Sequence, residues 1–186
     1  VVINIGANTY TFSTVDTLTS GATGDTVTFT GGLTNASIDL GGGSDVLNLA
    51  NATNSLSASN VETITGGTGA DSVTLGSALT TGMTVDLGTG NDTLILGTAG
   101  NTGSVTGVET MVGSSGADAI TVIGALSNAS LDLAGGSDTL TLANGANIAT
   151  LANVETVTGG TGVDTITLNG VVTNTSVDLA AGNDVL

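Results

Sequence analysis

The only side chains here that carry charge at neutral pH are carboxylates. The chain has 16 Asp and Glu residues with no Lys, Arg, His or Cys, for a formal charge of -16 over 186 residues. Carboxylates alone can coordinate hard cations or work as an acid–base pair of the glycosidase type. The usual general bases, nucleophile activators and oxyanion clamps are missing. An active site is ordinarily a single constellation, whereas these acids recur as copies, so no enzyme is expected.

The recurrence is regular. Asp25, Asp71, Asp118 and Asp164 recur at steps of 46, 47 and 46, and Asp45, Asp92, Asp138 and Asp184 at steps of 47, 46 and 46. Asp39, Asp86, Asp132 and Asp178 form a third series, and Asp16, Glu62, Glu109 and Glu155 a fourth. All 16 acids fall into these four registers. The chain is therefore an array of four units, approximately 1–46, 47–93, 94–139 and 140–186, expected to continue beyond both ends. Merging the third and fourth series gives steps of 23, with a single step of 24. This reads as two coils of about 23 residues per repeat.

The elements that must position these acids are strands. Apolar and polar residues alternate around the acids, as in Val61-Glu62-Thr63 and Val85-Asp86-Leu87, which is the period of a half-buried strand. Strands are expected at 61–65, 72–75, 83–87 and 93–96, with equivalents in the other copies, and residues 2–5 read as the tail of another. Glycine, at 30 positions, supplies the turns. Helix is not expected, because Thr, Val, Gly and Asn dominate. Short strands that cannot bury a face alone bury it by stacking. The expected fold is all-β, a parallel β-solenoid. A row of antiparallel modules or a propeller fragment is the alternative.

The second chemical feature is a glycine–aspartate turn. Gly66-Gly67-Thr68-Gly69-Ala70-Asp71-Ser72-Val73-Thr74 and Gly159-Gly160-Thr161-Gly162-Val163-Asp164-Thr165-Ile166-Thr167 fit the pattern G-G-x-G-x-D-x-U-x, and Asp45, Asp92, Asp118, Asp138 and Asp184 follow partial copies. The Asp25 copy has glycine directly before the acid. This pattern resembles the hemolysin-type (RTX) calcium-binding repeats, in the form found in bacterial surface-layer proteins and giant adhesins. The resemblance implies Ca²⁺ as the bound group. The implied ligands are Asp25, Asp45, Asp71, Asp92, Asp118, Asp138, Asp164 and Asp184. Asp39, Asp86, Asp132 and Asp178 each stand six positions before a turn aspartate and are candidates for the same ions. The alternative for a turn aspartate is an Asx-type turn, with the side chain on its own backbone. The series of Asp16, Glu62, Glu109 and Glu155 reads as a solvated strand face.

Electrostatics points to cations as well. Stacked like-charged carboxylates about 4.8 Å apart repel by roughly 1 kcal/mol in water and several times more at a lower dielectric. Without a basic residue, divalent ions, raised pKa values or outward splay must relieve this. The same lack of cations disfavours nucleic acid and anionic membrane surfaces as partners. No apolar run is long enough to span a bilayer.

The expected function is that of a structural, secreted, calcium-stabilised repeat protein of a bacterial surface layer, matrix fibre or adhesin, self-associating into a fibre or lattice. One alternative is a module that binds ice or glycan through a flat Thr face, suggested by Thr17/Thr19, Thr63/Thr65 and Thr156/Thr158 and interrupted at Met111–Val112. Another is an accessory calcium module of a secreted enzyme. Sequons at Asn35, Asn128 and Asn174 recur with the repeat and offer weak grounds for glycosylation.

Overall fold

The computed structural model describes residues 7–170 and 174–186. The strand tail expected at residues 2–5 lies outside them. The described residues form 19 short strands and no helix. Consecutive strands alternate between a ten-stranded and a nine-stranded sheet, and every strand pairs in parallel with the strand two places along the chain. This is a parallel β-solenoid, as the alternating pattern implied.

Local sequence explains the wall of the rod. Most strands offer one or two apolar side chains inward between polar ones, as in Thr26–Phe29 and Ser72–Leu75, where the second and fourth residues are buried. No strand buries enough to stand alone. Stacking lines these residues into continuous columns, such as Val27–Leu47–Ile64–Val85–Val105–Val122 in the ten-stranded sheet. Leu94, Met111 and Leu131 belong to a facing column in the other sheet. The three aromatic residues, Tyr10, Phe12 and Phe29, pack on one another at centroid distances of 6.0 and 5.9 Å.

The rung is shorter than the coil expected from the acids. Partnered Cα positions are offset by 17, 20 or 21 along the chain, as in Thr9 with Thr26, Thr26 with Val46 and Thr63 with Thr84. The reason is a fifth strand. The repeat was expected to hold four, but one copy runs Ala36–Asp39, Val46–Asn48, Ser55–Ser59, Thr63–Thr65 and Ser72–Leu75. Ser55–Ser59 and its counterparts Thr102–Thr106 and Ile148–Ala152 carry no acid.

An odd number of strands has a geometric consequence. Because strands alternate between sheets, each repeat begins on the sheet opposite to its predecessor. Ala36–Asp39 lies in the nine-stranded sheet and its copy Thr84–Asp86 in the ten-stranded one. Two repeats, rather than one, restore the starting face.

Candidate functional site

The residue immediately before a strand is the key position of each turn. On the edge leading into the ten-stranded sheet these positions include Asn8, Asp25, Asp45, Glu62, Asn101, Asp118, Asp138 and Glu155. On the opposite edge they include Asn54, Asp71, Asp92, Glu109, Asn147, Asp164 and Asp184. On both edges the order along the rod is Asn, Asp, Asp, Glu. A longer turn bearing Leu33, Leu79 or Leu126 separates one such run from the next.

Each side chain in a run reaches back one rung. Asn54 Oδ1 accepts the N–H of Leu33 at 3.1 Å, Asp71 Oδ1 accepts that of Asn54 at 3.0 Å, Asp92 Oδ1 accepts that of Asp71 at 2.7 Å, and Glu109 Oε2 accepts that of Asp92 at 2.9 Å. The other edge repeats the ladder through Leu79, Asn101, Asp118, Asp138 and Glu155, at 2.9, 2.8, 2.8 and 2.8 Å. Asn8, Asp25, Asp45 and Glu62 form a third ladder, and Leu126, Asn147, Asp164 and Asp184 a fourth. Backbone N–H groups at the strand starts are thereby satisfied by the neighbouring rung rather than by water.

The asparagines were not picked out from the acids, although Asn8, Asn54, Asn101 and Asn147 recur at steps of 46, 47 and 46. The same register test would have found them. Their amide groups do what a carboxylate cannot. Asn54 Nδ2 donates to the carbonyls of Ala50 and Ala52 at 3.0 and 2.7 Å and to Asp71 Oδ1 at 2.8 Å. Asn101 and Asn147 make the same set.

The turn aspartates are not Asx turns on their own backbone. Asp25, Asp45, Asp71, Asp92, Asp118, Asp138 and Asp164 are at most 2 % exposed, with Oδ1 on the neighbouring rung. Asp184 is half-buried with its Oδ1 on Asp164 N–H. The second oxygen has few partners. Asp25 Oδ2 accepts Ser20 Oγ–H and Asp118 Oδ2 accepts Ser114 N–H. Oδ2 of Asp45, Asp71, Asp92, Asp138 and Asp164 is enclosed with no hydrogen bond. Burial pushes the Asp45, Asp71, Asp92 and Asp138 carboxyls above the usual range. Asp92 reaches about 6, with Asp71 and Glu109 adding to the effect of burial.

The Asx turns belong to the other aspartate series. Asp39, Asp86, Asp132 and Asp178 accept the N–H two residues on, from Gly41, Gly88, Ala134 and Ala180 at 3.1, 3.0, 2.9 and 2.9 Å. Those four donor residues all have positive φ. Asn60 and Asn153 from the next rung also donate to Asp39 and Asp132 at 2.7 Å.

Glu62, Glu109 and Glu155 are half-buried ladder members rather than a solvated face. Asp16, which holds their register in the first repeat, is exposed. The sequon residues Asn35, Asn128 and Asn174 sit at φ of 50, 57 and 58°, a region that asparagine tolerates better than most residues. Backbone conformation thus accounts for their recurrence.

The fit of calcium to these turns can be tested on the donors present. Ca²⁺ takes six to eight oxygens. Among the described residues no three acidic side chains gather where they could hold a metal ion. Each ladder carboxylate already has one oxygen on an N–H donor. The glycines two places before the aspartates serve rung packing: a Cβ on Gly90 would collide with the carbonyl oxygen of Gly69, and one on Gly136 would lie 2.5 Å from that of Gly116. Those carbonyls lie against the next rung, not in a common cage. Each turn aspartate thus commits one oxygen to the neighbouring rung, and in Asp45, Asp71, Asp92, Asp138 and Asp164 the other stays enclosed without a hydrogen bond. Their hydrogen bonds stitch one rung to the next. Comparison with known proteins finds no family model, curated protein or solved structure that matches this chain.

Proposed function

We propose that the chain is a structural rod, a segment of an extracellular fibre, lattice or adhesin stalk at a bacterial surface. The observation that carries this reading is the odd strand count. Each repeat presents its surface on the sheet opposite to its neighbour's, as Asp39 and Asp132 do against Asp86 and Asp178. A rod that shows the same features on two opposite faces suits bridging between copies or between layers. The long axis grows by stacking alone, so length costs little new sequence. The acidic, glycine-rich composition and the turn pattern support a place outside the cell.

The test is length. In chains of two, four and eight repeats, small-angle scattering should show the long dimension rising by about 12 Å per repeat at constant cross-section. Electron microscopy of the longest chain should show straight rods. A cross-section that grows with repeat number refutes the reading.

A second reading rests on one column of the ten-stranded sheet. Thr9, Thr26, Thr63, Thr84, Thr121, Thr141 and Thr158 stand in one outward register, interrupted by Val46, Ser104 and Asp178. Met111 is buried and Val112 lies on the other sheet, so they do not break this column. A binding module for ice or glycan would use that face. Thermal hysteresis and glycan binding that vanish when Thr84 and Thr121 become Lys would favour it over the plain rod.

A further inference from the structure

We propose that two equivalent grooves on opposite faces of the rod each bind a neutral polysaccharide, so that one chain ties uncharged glycans together on its two sides. This gives the two faces of the proposed rod a ligand, and so rests on that reading.

The fifth strand of the repeat builds the grooves. One, of about 290 Å³, lies on the nine-stranded sheet over Ser55, Leu56 and Ser57, with Asn35 and Thr74 at its sides. The other, of about 260 Å³, lies on the ten-stranded sheet over Thr102, Gly103 and Ser104, with Thr81 and Thr121 at its sides. Thr102, Gly103, Ser104 and Thr121 stand 47 residues after Ser55, Leu56, Ser57 and Thr74. One stretch of the repeat therefore forms the same hollow twice, and the odd strand count turns it to the other side. The two grooves are five strands apart, which is about 12 Å along the rod.

Local sequence explains the hollow. The fifth strand carries small side chains outward, and the long turn beside it stands higher. Ser55 N–H donates to the carbonyl of Leu33 at 2.9 Å and Thr102 N–H to that of Leu79 at 2.8 Å, which holds each turn against its strand. Asn35 and Thr81 come from these turns. Ser55 Oγ–H also donates to Asn35 Oδ1 at 3.2 Å.

The lining selects the ligand. The chain has 16 acids and no base, yet among the described residues no charged side chain lines either groove. The carboxylates of these rungs stand at the other end of the strands, where Asp39 is in register with Ser59 and Asp86 with Thr106. Serine and threonine hydroxyls donate and accept, as sugar hydroxyls do. The surrounding negative charge repels polyanions and leaves uncharged glycans. Ala36 in one groove and Ala119 in the other offer apolar surface to the C–H face of a sugar ring. A hollow is the wrong shape for ice, which needs a flat face. Each groove is small for a ligand pocket, so a single sugar binds weakly. A polymer compensates, because a chain held at one groove presents further sugars at high effective concentration.

The experiment is native gel electrophoresis of the 186-residue chain through gels holding dextran, mixed-linkage β-glucan or galactomannan, with polygalacturonate as the anionic comparator. At least one neutral glycan should slow the chain, and polygalacturonate should not. An excess of oligosaccharide of the same linkage should restore the free mobility. In the third repeat Ile148, 44 % exposed, stands at the position of Ser55 and Thr102, so the strand accepts isoleucine there. The double variant Ser55→Ile, Thr102→Ile should keep its melting midpoint and migrate as if no glycan were present. Each single variant should still be slowed. On mixing with the glycan in solution, the wild type should raise light scattering by joining glycan chains, and the single variants should not. No slowing by any of the three neutral glycans, equal slowing by polygalacturonate, slowing that oligosaccharide does not relieve, or slowing that survives in the double variant overturns the proposal. If the long dimension rises with repeat number but no glycan binds, the grooves lose their ligand and the rod stands. If it does not rise, the rod reading fails whatever the chain binds.

Discussion

The backbone N–H of Asp71 donates to Oδ1 of Asp92 at 2.7 Å, across 21 residues of chain but only one rung of the rod. The two residues belong to different registers of the sequence repeat, and both precede strands of the nine-stranded sheet. The contact is a by-product of five strands per repeat. With four, each edge would alternate between the same two positions of the repeat, and no break would recur along the column. With five, the stack cycles through Asn, Asp, Asp, Glu and a long apolar turn, so runs of charge end after three rungs.

The asparagine rung is where a ladder is most exposed to damage. Asn54→Ala strands the N–H of Leu33, the carbonyls of Ala50 and Ala52 and one bond of Asp71. Its expected cost is roughly 2–4 kcal/mol, from several buried groups losing partners. Asn54→Asp keeps the acceptor but loses the amide donors and adds charge beside Asp71. It should be at least as costly at pH 7.5 and recover in part at pH 4.5. Urea unfolding at the two pH values checks both.

Glycine before the aspartate is a packing requirement. Gly90→Ala drives a methyl group into the carbonyl oxygen of Gly69 and should cost about 1–3 kcal/mol. Gly135 has open space where its Cβ would go and no positive φ. Gly135→Ala should be neutral within about 0.5 kcal/mol. Equal effects of the two in urea unfolding would show that the glycines do not serve rung contact.

The fold was legible because strands advertise themselves by alternation, and Thr-Val-Asp or Ser-Val-Thr-Leu does so clearly. The rung length was not. Ser55–Ser59 reads SLSAS and Thr102–Thr106 reads TGSVT. Small side chains there leave too little hydrophobic contrast for a period of two, yet Leu56 and Ala58 are buried at 4 and 2 %. Dropping those strands left four per repeat, and the even steps of the merged acids then looked like coils. The candidate site was half legible. Register picked out the aspartates that stack along the edges, but composition could not show that each puts one oxygen on an N–H of the neighbouring rung. That is a matter of which groups stack, and stacking depends on the strand that was missed.

Two positions carry a local misfit that can be repaired. Ala134 and Ala180 stand at φ of 67 and 62° where the earlier repeats have Gly41 and Gly88. The left-handed region costs a non-glycine residue about 1–2 kcal/mol, partly offset by the flexibility glycine adds to the unfolded chain. Ala134→Gly is therefore expected to stabilise by about 0.5–1 kcal/mol. The reverse change, Gly88→Ala, places a Cβ against the carbonyl oxygen of Gly67 and should destabilise. A rise in urea midpoint for the first and a fall for the second is the signature.

Deletion distinguishes the five-strand repeat from a repeat of two even coils most directly. Removing residues 55–101 joins Asn54 to Thr102 and takes out five strands. The Asn54 ladder position then precedes a strand that Asn101 preceded. Everything downstream moves to the opposite sheet, but the order Asn, Asp, Asp, Glu is kept on both edges. This shortened chain should unfold cooperatively, with a far-ultraviolet spectrum per residue like that of the parent. Removing residues 55–77 instead takes out one coil of the length that the acids suggest. It leaves Asn54 before Ala78, with the acids and the long turn out of step on both edges. Buried carboxylates would then face apolar turns, and N–H groups at strand starts would lose their acceptors. That chain should melt broadly or fail to fold. Equal stability of the two would mean that the ladders do not set the register.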